Sequence, residues 1–259
     1  MERQTLMNQQ QLFELLESKY SQFNTSAFID DDPVCIPHEF SKKEDIEIAG
    51  FFAATFAWGQ RVTIINKCKE LMTLMDWAPY DFIVNHTDAD LDRLANFKHR
   101  TFNFVDLTFF TKRLKQAYFK EGGLEALFSI GNNAKERLTN FELAFKSFEG
   151  FESRTGKHIA TPARKSTCKR LNMYLRWMVR DDNGGVDLGI WKSISPKELM
   201  CPFDVHVERV SRSLGLLKRK QRDWQAVEEL TENLRKFDKE DPVKYDYALF
   251  GLGILEKVV

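Results

Sequence analysis

Along nearly the whole chain, apolar residues recur at the three- and four-residue spacing of a helix. Nowhere do they alternate with polar residues for long enough to build a sheet. That periodicity restricts the fold class to all-α. Leu12, Leu15 and Leu16 mark a first helix within 9–20. Three consecutive aspartates (30–32), Pro33 and Pro37 mark a loop over 25–40. Helices are then expected over about 43–58, ending near Gly59, and over 62–75, with short ones at 81–84 and 88–95. Asp106 is expected to cap a helix reaching Lys120, stopped by Gly122 and Gly123. Further helices follow at 124–128 and 140–148. After a loop at 149–165 come helices over 166–179, 204–214, 224–237 and 242–255, with an irregular stretch at 186–203 that holds Pro196 and Pro202.

With 259 residues, 43% of them apolar and 22 of them Phe, the chain can fill one large domain or two small ones sharing a cleft. No run of 18 apolar residues exists, so no membrane span is expected. The polar start, Met1 to Gln11, does not read as a secretory signal. Cys35, Cys68, Cys168 and Cys201 are widely scattered with no CxxC pair. Neither a zinc site nor a disulfide framework is implied, no metal or cofactor is called for, and a reducing cytoplasm is the natural setting.

The net charge is zero, yet its distribution is uneven. Residues 161–222 hold 14 Lys and Arg against 6 Asp and Glu, a surplus of 8, whereas 1–160 (19 against 23) and 223–259 (5 against 9) are each acidic by 4. Attraction to phosphate is local, so a focused patch matters more than the total. A solvated helical face is the plain alternative.

The basic segment contains two stretches with chemical potential. In 166–180, Ser166 or Thr167 suits an N-cap. Cys168, Leu171, Leu175, Met178 and Val179 form an apolar stripe, with Lys169, Arg176 and Arg180 along its edge. A Lys in the first turn, beside the positive helix terminus, is disfavoured as ammonium, and the neutral amine is the nucleophilic form. An ordinary surface Lys is the alternative. In the second stretch, Pro202 stops any preceding helix and Asp204 begins a new one, with Val207, Val210 and Leu214 on its buried face. As an N-cap, Asp204 would also place a negative group where it can steady a nearby cation.

The stretch from Pro202 and Phe203 through Asp204, His206, Arg209 and Arg212 to Leu216 resembles the "VDTHVxRVxxRLGL" motif of helix-hairpin-helix DNA glycosylases related to endonuclease III. Residues 224–237 resemble the polar helix after that motif, and 245–253 resemble the closing helix that ends in a glycine. Upstream, 47–67 is similar to the early helix pair that brings a Gln to DNA, with Gln60 one residue out of register. The segment beginning at Lys169 looks most like the Lys-bearing helix of archaeal 8-oxoguanine glycosylases, which also place an extended segment between Lys and Asp; here the separation is 35 residues. The chain as a whole resembles a bacterial family with no assigned activity.

The resemblance implies a single all-α unit of two helical lobes, about 40–160 and 161–259 plus the N-terminal helix, around a central cleft. It implies a monomer that removes a damaged base from double-stranded DNA, with Lys169 as nucleophile, Lys165 as its rival, and Asp204 as partner. Gln60, Arg164, Lys165, Ser166, Thr167, Arg176, Arg180, His206, Arg209 and Arg212 would contact DNA, and Trp58, Trp177 or Trp191 would sandwich the base. A non-catalytic nucleic-acid-binding protein on the same fold is the alternative. Two departures stand out. The "LPGVGxKTA" hairpin is replaced by 161–169, which has no glycine, so Arg164, Lys165 or the helix amides would take over its phosphate contact. The C-terminal four-cysteine iron–sulfur loop is also missing.

Overall fold

The computed structural model describes residues 7–182 and 184–254, and these are overwhelmingly helical. The helices are α1 (Gln9–Phe23), α2 (Cys35–His38), α3 (Lys43–Phe56), α4 (Arg61–Leu74), α5 (Pro79–Asn85), α6 (Asp88–Asp92), α7 (Phe104–Lys120), α8 (Gly123–Phe128), α9 (Ala134–Lys146), α10 (Lys169–Val179), α11 (Val205–Ser213), α12 (Trp224–Leu234) and α13 (Tyr245–Ile254). Between α6 and α7 lies a two-stranded antiparallel ribbon, β1 (Lys98–His99) with β2 (Phe102–Asn103), which pairs Lys98 with Asn103 and His99 with Phe102. At two residues per strand it is too short to leave an alternation in the sequence.

Several boundaries differ from expectation, and each has a local cause. Helix α7 starts at Phe104 because Asn103 caps it; Asp106 is the reciprocal partner in a capping box, not the cap itself. Helix α9 starts at Ala134, earlier than expected, because the Asn133 side chain accepts from the Glu136 amide. The expected loop over 25–40 contains the single turn α2. Helix α10 starts at Lys169, not at Ser166. Lys165 and Cys168 both adopt left-handed backbone (φ 60° and 51°), so Ser166 and Thr167 stay outside the helix and Cys168 is its N-cap residue. Residues 242–244 form a short 3-10 turn ahead of α13.

One continuous apolar cluster runs through the described chain from Leu12 to Leu252. Helix α3 is at its centre: every residue from Ile46 to Phe56 is buried, as expected for a helix that is apolar all round. Phe51 stacks on Phe110, meets Phe141 edge-on and packs an edge against Tyr174 of α10. Gly50 lets α10 lie directly on α3, since a Cβ there would sit 2.8 Å from Met178 Cε. On the other side of the fold, α13 packs between α1 and α11. A Cβ at Gly251 would lie 2.0 Å from Phe23 Cδ2 of α1, and one at Gly253 would lie 3.1 Å from His206 Cβ of α11. The glycines near the end of α13 are thus where two other helices make their closest approach.

Gly251→Ala is expected to lower stability by about 1–3 kcal/mol in denaturant unfolding, because the Phe23 ring has to leave its seat. Unchanged stability would mean that α1 does not rest on α13 as described.

A second expectation concerns Asp106, which is fully buried and accepts from Asn103 N (3.1 Å), Thr155 Oγ1 (2.8 Å) and Arg154 Nη1 (3.0 Å). Burial pushes its carboxyl up, but the bonds from His158, Asn103 and Thr155 outweigh burial and hold it at about 2. A carboxyl depressed in the folded state stabilises the fold above its ordinary value and ceases to as pH falls through the folded value. Asp106→Asn is therefore expected to be less stable than the parent by about 1–3 kcal/mol at neutral pH. That gap should close as pH falls from about 4 to about 2, read by thermal melting across pH.

Candidate active site

The first turn of α10, the first turn of α11, the start of α4 and one face of α13 converge on one cavity of about 480 Å³. Lys169 and Asp204, 35 residues apart in sequence, both line it. Lys169 is the first residue of α10, and its Nζ lies 3.6 Å from Met173 Sδ one turn on. Asp204 is the N-cap of α11: its Oδ1 accepts from the amides of His206 (2.8 Å) and Val207 (3.0 Å), and this fixes the carboxylate at the cavity wall.

The apolar walls are aromatic. Phe28 meets Tyr247 and Phe250 edge-on at 5.3 and 6.0 Å. Trp58 packs near-parallel with His158 and has the Arg170 guanidinium 4.8 Å from its ring centre. The polar lining adds Asp32, Arg61, Arg176, His206 and Asp246. Asp32 is raised above its ordinary value by burial, against the opposing Val34 amide and the charges of Arg61, Lys169 and Arg176. Burial pushes Asp246 up to about 7; Arg176 and Lys169 oppose the shift, while the charges of Asp204 and Asp187 add to it. Burial pulls Arg170 down to about 10. Arg61 lies over Phe250, 5.0 Å from the ring centre, and its Nη2 is buried without a partner among the described residues, as is His206 Nδ1. These are unsatisfied groups in a concave site, where a ligand is the natural partner. Among the described residues no cluster of three or more His, Cys, Asp or Glu is arranged to hold a metal ion.

The remaining sequence-derived residues divide by exposure. Trp58 lines the cavity, but Trp177 and Trp191 do not. Both are buried in the core, and the Trp191 indole donates to Glu47 Oε1 at 2.7 Å. Arg176 and Arg180 are buried (4% and 2% exposed) and form no surface for a duplex backbone. Arg176 binds Asp187 Oδ1 (3.2 Å), Asp246 Oδ2 and the Tyr247 hydroxyl (3.1 Å). Arg180 binds Asp241 (2.7 Å), Asp182 and Asp187 (2.8 Å each) and the Tyr20 hydroxyl (2.6 Å). Half-buried Arg212 is tied to Glu208 at 2.8 Å. Much of the positive surplus in 161–222 is thus neutralised inside the fold.

Gln60, Arg164, Lys165 and Arg209 are exposed. Gln60 sits at the cavity's edge, as N-cap residue of α4 between the lining residues Gly59 and Arg61. Arg209 donates to Gly253 O at 2.9 Å. Arg164, Ser166, Thr167 and Lys169 share a shallower hollow of about 350 Å³ with Lys157 and Thr161. Lys165 lines neither hollow. Sequence reasoning missed Phe28, Asp32, Arg61, Asp246, Tyr247 and Phe250. The only available signals were the carboxylate in the otherwise apolar stretch 245–253 and the arginine that follows Gln60.

A Lys amine and a fixed carboxylate facing one aromatic-walled cavity define a candidate site for covalent catalysis through an amine. The chain belongs to a family described as proteins of unknown function, DUF2400, whose model matches residues 32–255. No curated protein and no solved structure matches the chain.

Removing one member of a buried ionic cluster leaves its partners uncompensated. Arg176→Met is expected to lose about 3–5 kcal/mol of stability by denaturant unfolding, whereas exposed Arg209→Ala should lose under about 1. Equal losses would refute the division of the basic segment into buried struts and free surface.

Proposed function

We propose that the chain is a base-excision DNA glycosylase with lyase activity, taking a flipped damaged nucleotide into the cavity between α10 and α11. The observation that carries this reading is that Lys169 and Asp204 line one cavity with aromatic walls, within the size range of small-molecule sites. The duplex supplies a nucleotide rotated out of its stack. Trp58, Phe28, Tyr247 and Phe250 offer faces and edges for a base. Lys169 attacks the sugar C1′ carbon, the base departs with the bonding electron pair, and the Asp204 carboxylate steadies the positive charge that develops on the sugar. Opening of the sugar ring gives a Schiff base with Lys169, and strand cleavage follows.

Lys169 is favoured over Lys165 because Lys165 lies outside the cavity on an exposed left-handed turn. The shallower hollow, with Arg164, Ser166 and Thr167 beside Lys169, is the surface offered to the flanking phosphates in place of the absent glycine hairpin. An oxidised purine is the proposed lesion, on the resemblance of the Lys-bearing helix to that of archaeal oxoguanine enzymes.

The test is borohydride trapping on duplexes carrying oxoguanine, uracil or thymine glycol. The expected result is a covalent adduct on the oxoguanine duplex that is lost in Lys169→Gln and kept in Lys165→Gln. Loss only in Lys165→Gln moves the role to that residue. Adducts on another lesion alone discard the oxidised purine and keep the mechanism, and no adduct on any duplex refutes the enzyme.

A further inference from the structure

The base-release step of the proposed reaction leaves the path of one proton unassigned. The Lys169 nitrogen has one too many after it bonds to C1′, and the departing base has one too few. Of the three carboxylates in the cavity wall, two are held by backbone amides. Asp204 Oδ1 takes two, and Asp32 Oδ1 takes Val34 N at 3.1 Å. Asp246 is held differently. Its Oδ2 is bound by Arg176, and among the described residues its Oδ1 has only the thiol of Cys201, at 3.8 Å. It is 5% exposed, and that exposure opens into the cavity shared with Lys169 and Asp204.

We propose that Asp246 is the proton carrier of this site, taking a proton from Lys169 and returning it to the departing base; this rests on the glycosylase reading above. The Lys169 lone pair forms the N–C1′ bond, and the C1′–base bond breaks with its electron pair on the base nitrogen. The surplus proton on the Lys169 nitrogen passes to Asp246 Oδ1 and from there to the base, which leaves neutral. Lys169 Nζ donates only to the Met173 sulfur, a weak acceptor, at 3.6 Å among the described residues, and it shares the cavity with Asp246.

The charged and titratable groups that face Asp246 come from four segments. Arg176 and Lys169 come from α10, Asp187 from the segment after α10, Cys201 and Asp204 from the approach to α11, and Tyr247 from α13 itself. Burial and the two neighbouring carboxylates bring Asp246 to about 7, where a carboxyl exchanges protons readily in both directions near neutral pH.

Two arms test this. In the first, the carboxyl carbons of isotope-labelled aspartate in the whole chain are followed by NMR across pH, with Asp246→Asn identifying the signal. The expected midpoint is near 7. It should fall in Asp204→Asn, which removes a like charge, and rise in Lys169→Gln, which removes an opposite one. A midpoint in the ordinary range near 4, or one unmoved by Lys169→Gln, overturns the proposal whether or not any lesion is excised.

The second arm is single-turnover excision across pH on the duplex that gives an adduct. The parent rate should rise to a plateau above about 7. Asp246→Asn should lose that rise and run about 100-fold slower, and Asp246→Glu should keep the rise with a displaced midpoint. An Asn variant that is slow but retains the rise would make Asp246 only a support for Arg176 and overturn the proposal. Absence of any adduct in the parent chain refutes the glycosylase reading, while the first arm still decides whether Asp246 and Lys169 are coupled.

Discussion

The geometry of the site depends on the buried pairing of Arg176 and Arg180 with Asp187. Asp187 accepts from both guanidiniums and from the Tyr247 hydroxyl, and Arg176 and Arg180 extend the cluster to Asp246, Asp241, Asp182 and Tyr20. This one set of bonds joins α10, the segment that follows it, α13 and α1. Charges buried this deeply persist only where each is matched by others, so the cluster fixes how α10 stands relative to α13. Lys169 projects from the first turn of α10 and Asp246 from the first turn of α13. Their relation across the cavity follows from that lock.

Residues 184–195 lie in the stretch that separates Lys169 from Asp204. They fold back on the end of α10, with the amides of Leu188 and Trp191 donating to Trp177 O and Met178 O at 2.7 and 2.8 Å. That return carries Asp187 beneath the two arginines and seats Trp191 against Phe128 and Tyr174. These residues therefore form a brace for α10, and Lys169 and Asp204 line the cavity beside it.

Helical spacing made most of the fold legible, because α7, α11 and α12 each bury a periodic set of residues, while α3 and α10 are buried on nearly every side. Boundaries were less so where a side-chain cap or a left-handed residue decided them, as at Asn103, Asn133 and Cys168. Lys169 and Asp204 stood out in the sequence because each sits in a motif with a recognisable neighbour pattern, and both line the cavity. Arg176 and Arg180 were misread for a physical reason. A basic edge on an amphipathic helix looks the same whether it meets water or buried carboxylates, and those carboxylates lie between 2 and 70 residues away in sequence. Asp32 and Phe28 lie in a stretch with no periodicity, and only the tertiary fold brings them to the cavity.

The seat of α1 on α13 has a consequence for the order in which this protein can form. Phe23 fills the space over Gly251, and the Tyr245 hydroxyl bonds Glu17, so a helix near the start of the chain is completed by one near its end. During synthesis α1 lacks its main packing partner, α13, until residue 251 has emerged. Contacts of such long sequence separation close late and slow folding. The cavity, whose wall includes Asp246 and Phe250, is therefore among the last features to exist.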